Sequence, residues 1–287
     1  MTDQPDTPQV RPASRPALSP SRAADFKQCP LLYRFRAIDR LSEAPSVAQL
    51  RGSLVHAALE QLYGLPATQR GPDTARSLVE PAWNRVIAAE PALAAELDPG
   101  QRTQLLEEAR ALLSGYYRLE DPTRFDPHSC EQRVEVELAD GTLLRGFIDR
   151  IDVAATGELR VVDYKTGKAP PAARAAANFK AEFKAMFQMK FYAVALLRSR
   201  GVLAARLRLI YLADGQVLDY APDRDELLRF EKTLMAIWRA IRSASETGDF
   251  RPNPSRLCDW CPHQEHCPVF GGTPPPYPGW PKQLLAG

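Results

Sequence analysis

The hydrophobic period changes at Cys130, and that change commits the chain to a fold mixing helices with an antiparallel sheet. From there, "EQRVEVELADGTLLRGFIDRIDVAATGELRVVDYKTG" alternates apolar and polar residues, the period-two pattern of strands with two different faces. Asp140-Gly141 and Thr156-Gly157 interrupt the run, and such pairs supply the backbone angles that tight hairpins need. Three antiparallel strands are expected, at roughly 131–138, 142–153 and 158–165. Upstream the period is helical. Leu50, Leu54, Ala57, Ala58 and Leu62 make one apolar face, and "ARSLVEPAWNRVIAAE" and "RTQLLEEARALLSGYYRL" continue in the same style. Ser19 reads as an N-cap with Pro20 at the first helical position, and Cys29-Pro30 ends that short helix. After the strands, "NFKAEFKAMFQMKFYAVALLRSRG" predicts an amphipathic helix stopped by Gly201. "ARLRLIYLADGQVLDYA" predicts a second hairpin, and "DRDELLRFEKTLMAIWRAIRSASETG" a long helix.

The expected organisation is a disordered, proline-rich leader over residues 1–18 and one domain over 19–268. Within it, 19–125 is mostly helical, 130–247 forms an α/β core, and 250–268 is a proline- and cysteine-rich segment; a proline-rich tail occupies 271–287. No unbroken apolar stretch is long enough to span a bilayer, and the leader lacks the apolar segment of a secretory signal. The expectation is a cytoplasmic protein with no membrane partner. The net charge of +2 does not announce a nucleic-acid binder; only 8 of the 37 basic residues are lysine, a skew that GC-rich codon usage explains ahead of phosphate binding. Five cysteines, three of them clustered, suit a metal site better than disulfides in a reducing compartment. There is no G-x-x-x-x-G-K-[ST] phosphate loop, which excludes an ATP-driven motor of the usual kind.

Chemistry concentrates at the strand ends. On the third strand, Asp163 and Lys165 share a face while Tyr164 points the other way. Asp149 ends the neighbouring strand, and adjacent strands bring side chains to about 5 Å. Two such carboxylates repel unless a cation lies between them, and magnesium, a hard ion that keeps waters, is the natural one. A lysine beside it can stabilise charge on a phosphate or help orient and deprotonate a water. The pattern points to metal-assisted phosphodiester hydrolysis. Gly146, just upstream, marks where something approaches the backbone closely.

"GFIDRID" and "VVDYKTG" resemble the core of the PD-(D/E)XK nucleases, specifically the RecB-type exonuclease branch. "RGSLVHAALE" supplies Gly52 and His56 of its G-x-x-x-H motif, and "QMKFYA" supplies Gln188 and Tyr192, four apart on one helical face. The resemblance runs over residues 19–268 and implies a restriction-endonuclease-like core, a mixed sheet flanked by helices. It implies that Asp149, Asp163 and the carbonyl of Tyr164 hold Mg2+ or Mn2+ with His56 as a metal-associated histidine. Lys165 would be the catalytic lysine, with Gln188 and Tyr192 positioning the DNA backbone or the site. Glu60 and Glu135 are second-rank candidates for support or ligation, and Asp152 is read as structural.

"LCDWCPHQEHCPVF" gives C-x2-C-x5-C with His263 and His266 inside it, a metal-binding spacing. Zinc needs four ligands, and His266 could be the fourth; an iron–sulfur cluster wants four thiolates. In the iron–sulfur members of the superfamily that the chain resembles, the AddB-type and CRISPR-associated four-cysteine nucleases, one cysteine precedes the core in a C-P context. Cys29 of "FKQCPLLYRF" stands there. The resemblance thus implies a structural [4Fe-4S] cluster on Cys29, Cys258, Cys261 and Cys267, with Cys130 outside the pattern.

The expected function is a Mg/Mn-dependent deoxyribonuclease, a single-strand or end-dependent exonuclease of DNA repair or recombination, with DNA as its partner and a separate helicase as a second one. Arg22, Arg34, Arg36, Arg51, Lys180, Lys184 and Lys190 are candidate phosphate contacts. The alternative is a catalytically inactive module with a vestigial nuclease fold that binds DNA or a helicase; the intact carboxylates, lysine and histidine favour the enzyme.

Overall fold

A computed structural model describes residues 15–44, 46–89, 97–170 and 186–280. Helices α1 (Pro20–Gln28), α2 (Pro30–Tyr33), α3 (Val47–Tyr63), α4 (Pro72–Ser77), α5 (Val79–Ala89) and α6 (Pro99–Tyr116) precede the strands β1 (Ser129–Glu137), β2 (Leu143–Val153) and β3 (Leu159–Lys165). Then come α7 (Phe187–Arg200), β4 (Arg206–Tyr211), β5 (Gln216–Tyr220) and α8 (Arg224–Thr247). The five strands form one sheet in chain order, antiparallel except for the parallel pair β3–β4. That pair is joined through α7, as a parallel connection requires a crossover.

Local signals set the boundaries. The Ser19 side chain accepts from the Arg22 amide to open α1, Ser46 and Gln49 form a reciprocal cap on α3, and Asp223 caps α8. Gly201 and Gly248 end α7 and α8 in left-handed conformations. The turns at Gly141 and Gly157 take the positive φ their hairpins need.

Two apolar layers sandwich the sheet. One packs α1, α7 and α8 around Leu144, Ile148, Val161 and Leu207; the other packs α3, α5 and α6 against Val162, Tyr164 and Ile210. The mostly helical part is therefore one wall of the same domain, and the architecture is the mixed, helix-flanked sheet expected of a restriction-endonuclease-like core. Among the described residues, no helix is long and apolar enough to cross a membrane.

Two boundaries differ from the sequence reading, and a third lies outside the described residues. Residues 1–14 lie outside the described residues, but Ala17 and Leu18, assigned above to the leader, are buried. Leu18 exchanges backbone hydrogen bonds with Leu143 and Arg145, filling the edge of β2 where β3 has parted from it. Residues 178–185 of the helix expected before Gly201 fall outside the described residues; the described helix begins at Phe187. In the tail, Tyr277 donates to the Ser245 carbonyl and Trp280 packs on Trp238. Its prolines carry aromatic anchors that hold it on α8.

Candidate metal and phosphate site

The site sits where β2 and β3 separate. They pair only from Arg150–Val162 to Val153–Leu159, and one step further along that register Asp149 faces Asp163. Side-chain alternation slips there: Leu144 and Ile148 enter the α7 layer, yet Arg150 enters the opposite one. The slip leaves Asp149 in the opening between the strands, where its Oδ2 accepts from the Tyr164 amide at 2.8 Å. His56, midway along α3, donates from Nε2 to the Tyr164 carbonyl at 2.9 Å, and its Nδ1 lies 3.4 Å from Asp149 Oδ2. The oxygen and the histidine expected to share an ion thus meet directly.

Glu131 completes the group, and sequence reasoning missed it. One potential ligand atom from each of His56, Glu131 and Asp149 lies within 4.8 Å of the others. The signal was available: counting back from the Asp140-Gly141 turn, the β1–β2 register pairs Cys130 with Arg150 and Gln132 with Ile148, which sets Glu131 against Asp149. Glu131 also takes φ 45°, a left-handed conformation that is unusual for glutamate and costs on the order of 1–3 kcal/mol. Glu135, a second-rank candidate on the same strand, pairs instead with Arg133 and Arg145 at the surface. Glu60 is held 2.6 Å from Arg85 at the edge of the site.

Burial raises the Asp149 carboxyl to about 7; the neighbouring Asp163 charge adds to the rise, and His56 and the Tyr164 amide oppose it. Burial likewise raises Glu131, with His56 opposing. Asp163 is 1% exposed; its Oδ1 has no hydrogen-bond partner, and its Oδ2 is met by a lysine. Its compensation is Lys165, whose Nζ lies 2.7 Å away. For Lys165, burial works against the charged form, but the Asp163 carboxylate outweighs it and the amine is held above its ordinary value. Asp149, Glu131 and His56 converge beside the Tyr164 carbonyl, while Asp163 stands outside that group of three with its Oδ1 unbonded; together they are an oxygen-rich donor set. That set fits a hard divalent cation.

Gln188 and Tyr192 are aimed at the lysine. Lys165 Nζ donates to Gln188 Oε1 at 2.8 Å, and Gln188 Nε2 donates to the Tyr192 hydroxyl at 3.2 Å. The aromatic ring explains Gly146: a Cβ there would stand 2.8 Å from Tyr192 Cε1, closer than carbon atoms approach. Behind the site, the fully buried Arg150 donates to the hydroxyls of Tyr63, Tyr116 and Tyr164, to Glu120 and to Asp152. Asp152 is structural, as expected, bonded also by Arg160.

The phosphate contacts suggested by the sequence fare less well. Arg34 is buried against Asp39, Lys190 is buried against Glu226, and Arg36 is shared by Asp25 and Glu43. Their charges serve the fold. Arg51 pairs with Glu108 and Arg22 bonds the Ala17 carbonyl, while Lys180 and Lys184 lie outside the described residues.

Cys29, Cys258, Cys261 and Cys267 line one small cavity between α1 and three short 3-10 turns at Arg256–Trp260, Gln264–His266 and Pro268–Phe270. The amides of Asn253 and Ser255 point at the sulfurs of Cys29 and Cys258. The four thiols do not close to metal-ligand separations; among the described residues only His56, Glu131 and Asp149 do so. Tetrahedral zinc would hold its sulfurs ~4 Å apart. His266, the zinc alternative's fourth ligand, lies 3.2 Å from Glu265, and the buried His263 is bound to Glu43. Cys130 stands apart, its thiol pushed up to about 11 by burial.

The chain is 25% identical over 284 residues to the Gene 69 protein of Mycobacterium phage D29, covering 89% of this chain and 97% of that protein. It is 30% identical over 152 residues to the Gene 69 protein of Mycobacterium phage L5, covering 49% of this chain and 47% of that one. The crystal structure of a "putative exonuclease" from Eubacterium rectale superposes with a TM-score of 0.57 at 15% identity, over 86% of this chain and 87% of that chain, a likeness of fold. The family model of the PD-(D/E)XK nuclease superfamily matches residues 17–268, and with that span the chain belongs to the PD-(D/E)XK nuclease superfamily.

Proposed function

We propose that this chain is a metal-dependent deoxyribonuclease of the RecB-type exonuclease branch, acting on single strands or DNA ends. The observation that carries the reading is Asp163: a carboxylate buried to 1% exposure whose Oδ1 has no hydrogen-bond partner and whose Oδ2 meets the Lys165 ammonium, one register step beyond the last β2–β3 pair and so opposite Asp149. Asp149, Asp163, His56, Glu131 and the Tyr164 carbonyl would hold Mg2+ or Mn2+. Such an ion supplies charge to the scissile phosphate and acidifies a water for attack. Lys165 keeps its proton at Nζ, because releasing it would strand the buried Asp163 charge. It therefore acts by stabilising negative charge on the phosphate, with Gln188 and Tyr192 fixing its position. The strain at Glu131 is explained if its carboxylate must reach the ion.

The cysteines belong to the same proposal as the ligands of a structural [4Fe-4S] cluster. The four thiols line one cavity, and the choice of an iron–sulfur cluster for them rests on the family resemblance, since such a cluster takes four thiolates. Action in the cytoplasm, in DNA repair or recombination and beside a separate helicase, extends the reading on the branch's resemblance alone.

The test uses anaerobically purified protein with magnesium or manganese. Linear and circular single-stranded DNA are incubated with wild type and with Lys165→Ala. Digestion of the linear form alone, lost in the variant, is expected; cutting of circles makes the enzyme an endonuclease. Failure of the wild type to degrade either, with DNA still bound, replaces the proposal with the inactive binding module.

A further inference from the structure

The cavity beside the carboxylates is larger than an ion and its waters need. It measures about 590 Å³, and His56 and Glu131 line only part of it. Phe147, two residues before Asp149 on β2, lines it with 52% of its surface exposed, an unusual state for a phenylalanine on a core strand. Ala57 on α3 and Val86 and Ala89 on α5 add an apolar lining. The cavity is ill suited to phosphate: Glu60 and Glu131 line it, and the Arg85 guanidinium is committed to Glu60 at 2.6 Å.

Gly52 gives an independent indication. It lies inside α3, where glycine weakens a helix relative to alanine, and it lines the same cavity. A Cβ added there would meet within 4 Å only Thr166 Oγ1, at 3.8 Å. The protein's own packing therefore leaves room for a side chain, in contrast to Gly146. Glycine in a helix wall with space before it is what close approach of a ligand backbone requires.

We infer that this cavity is a nucleobase pocket. It takes one unstacked base of the substrate strand next to the scissile phosphate, with the Phe147 ring against the face of the base and the sugar–phosphate backbone passing over Gly52. The inference rests on the nuclease reading above and deepens it by specifying the substrate's state. A base paired in a duplex cannot turn into the cavity without unstacking, so the pocket selects single strands and frayed ends; stacking on an aromatic ring accepts any base.

The test compares a single-stranded oligonucleotide with one carrying abasic positions, using wild type, Phe147→Ala, Phe147→Tyr and Gly52→Ala. Cleavage in magnesium and equilibrium binding by fluorescence anisotropy are both measured. Phe147→Ala should raise KM and Kd for the normal strand roughly tenfold, the usual weight of one base–aromatic stack, with kcat within about twofold. Phe147→Tyr should restore both constants. Gly52→Ala should weaken binding while Tm holds or rises. The abasic strand should bind wild type about as poorly as the normal strand binds Phe147→Ala, and lose nothing further in that variant, as two changes removing one contact must. Unchanged constants in Phe147→Ala, or full additivity with the abasic strand, overturn the pocket and leave the nuclease standing. Base-dependent binding through Phe147 without cleavage by wild type upholds the pocket and removes the nuclease.

Discussion

Asp149 holds its proton more tightly than an ordinary aspartate chiefly because burial strips water from the ionised form, with the Asp163 charge adding to the rise. In the metal-free protein its folded value, about 7, lies above the 3.8 of an unperturbed carboxyl. The native state thus binds the extra proton between those values. The stability contributed by this group is full below about pH 4 and is lost as pH rises through 7. A divalent cation competes for the same oxygens and must displace the proton. Manganese affinity, measured by calorimetry at pH 6, 7 and 8, should therefore rise with pH and level off above 7, with proton release at the lower values. A pH-independent affinity would contradict this. Lys165→Ala should reduce cleavage at least a hundredfold, the scale of losing one preorganised electrostatic contact. Its manganese affinity should stay the same or increase, since the Asp163 charge is freed; a joint loss would make the lysine a structural residue.

Among the elements, the β1–β2 hairpin carries the most information. The Asp140-Gly141 turn fixes which carboxylate of β1 meets Asp149, and the choice between Glu131 and Glu135 follows from that count. What the sequence did not disclose was the slip in alternation at Asp149. A period-two reading puts Asp149 and Asp163 on one face of a continuous ladder, whereas they meet where the ladder ends and Leu18 takes over the strand edge. Gly146 was legible as a close approach, but its partner was not, because Tyr192 arrives from a helix 46 positions later. Gly146→Ala should destabilise the fold by about 1–3 kcal/mol in urea unfolding, and it should slow cleavage by displacing Tyr192 and Gln188 from Lys165. Arg150 was invisible as a core residue, since the period assigns no partner to a buried guanidinium. Replacing it with methionine removes the buried cation that Glu120 and Asp152 share, leaving them only the more exposed Arg208 and Arg160, and should cost about 3–5 kcal/mol. An Arg150→Met protein as stable as wild type would show that the network is dispensable.

At the scale of the whole molecule, the sheet is held from both sides, and the segment leading into the clustered cysteines is tied to the end of α1. Asn253 bonds both the Gln28 carbonyl and the Cys29 sulfur, although 224 positions separate it from Cys29. Closing so long a loop removes entropy from the unfolded chain, with a weak dependence on length. Cys258, Cys261 and Cys267 were legible from spacing, and Cys29 joined them only through the family resemblance; the ion pairs that occupy Arg34, Arg36 and Lys190 were not legible, because side-chain pairing across distant segments leaves no local signature. Cys261→Ser should abolish bound iron and sulfide and lower Tm by several degrees, while metal binding at the carboxylates persists in whatever fraction remains folded. Iron-free protein with unchanged Tm would remove the cluster from the account.

The central claim is that Asp149 and Asp163 share a divalent cation in the opening between β2 and β3. Crystals grown with manganese and examined by anomalous diffraction test it most directly. The account predicts a peak at coordination distance, ~2.2 Å, from both carboxylates and the Tyr164 carbonyl, lost in Asp163→Asn. A map with no peak there, from protein that degrades DNA in the same manganese, would contradict it.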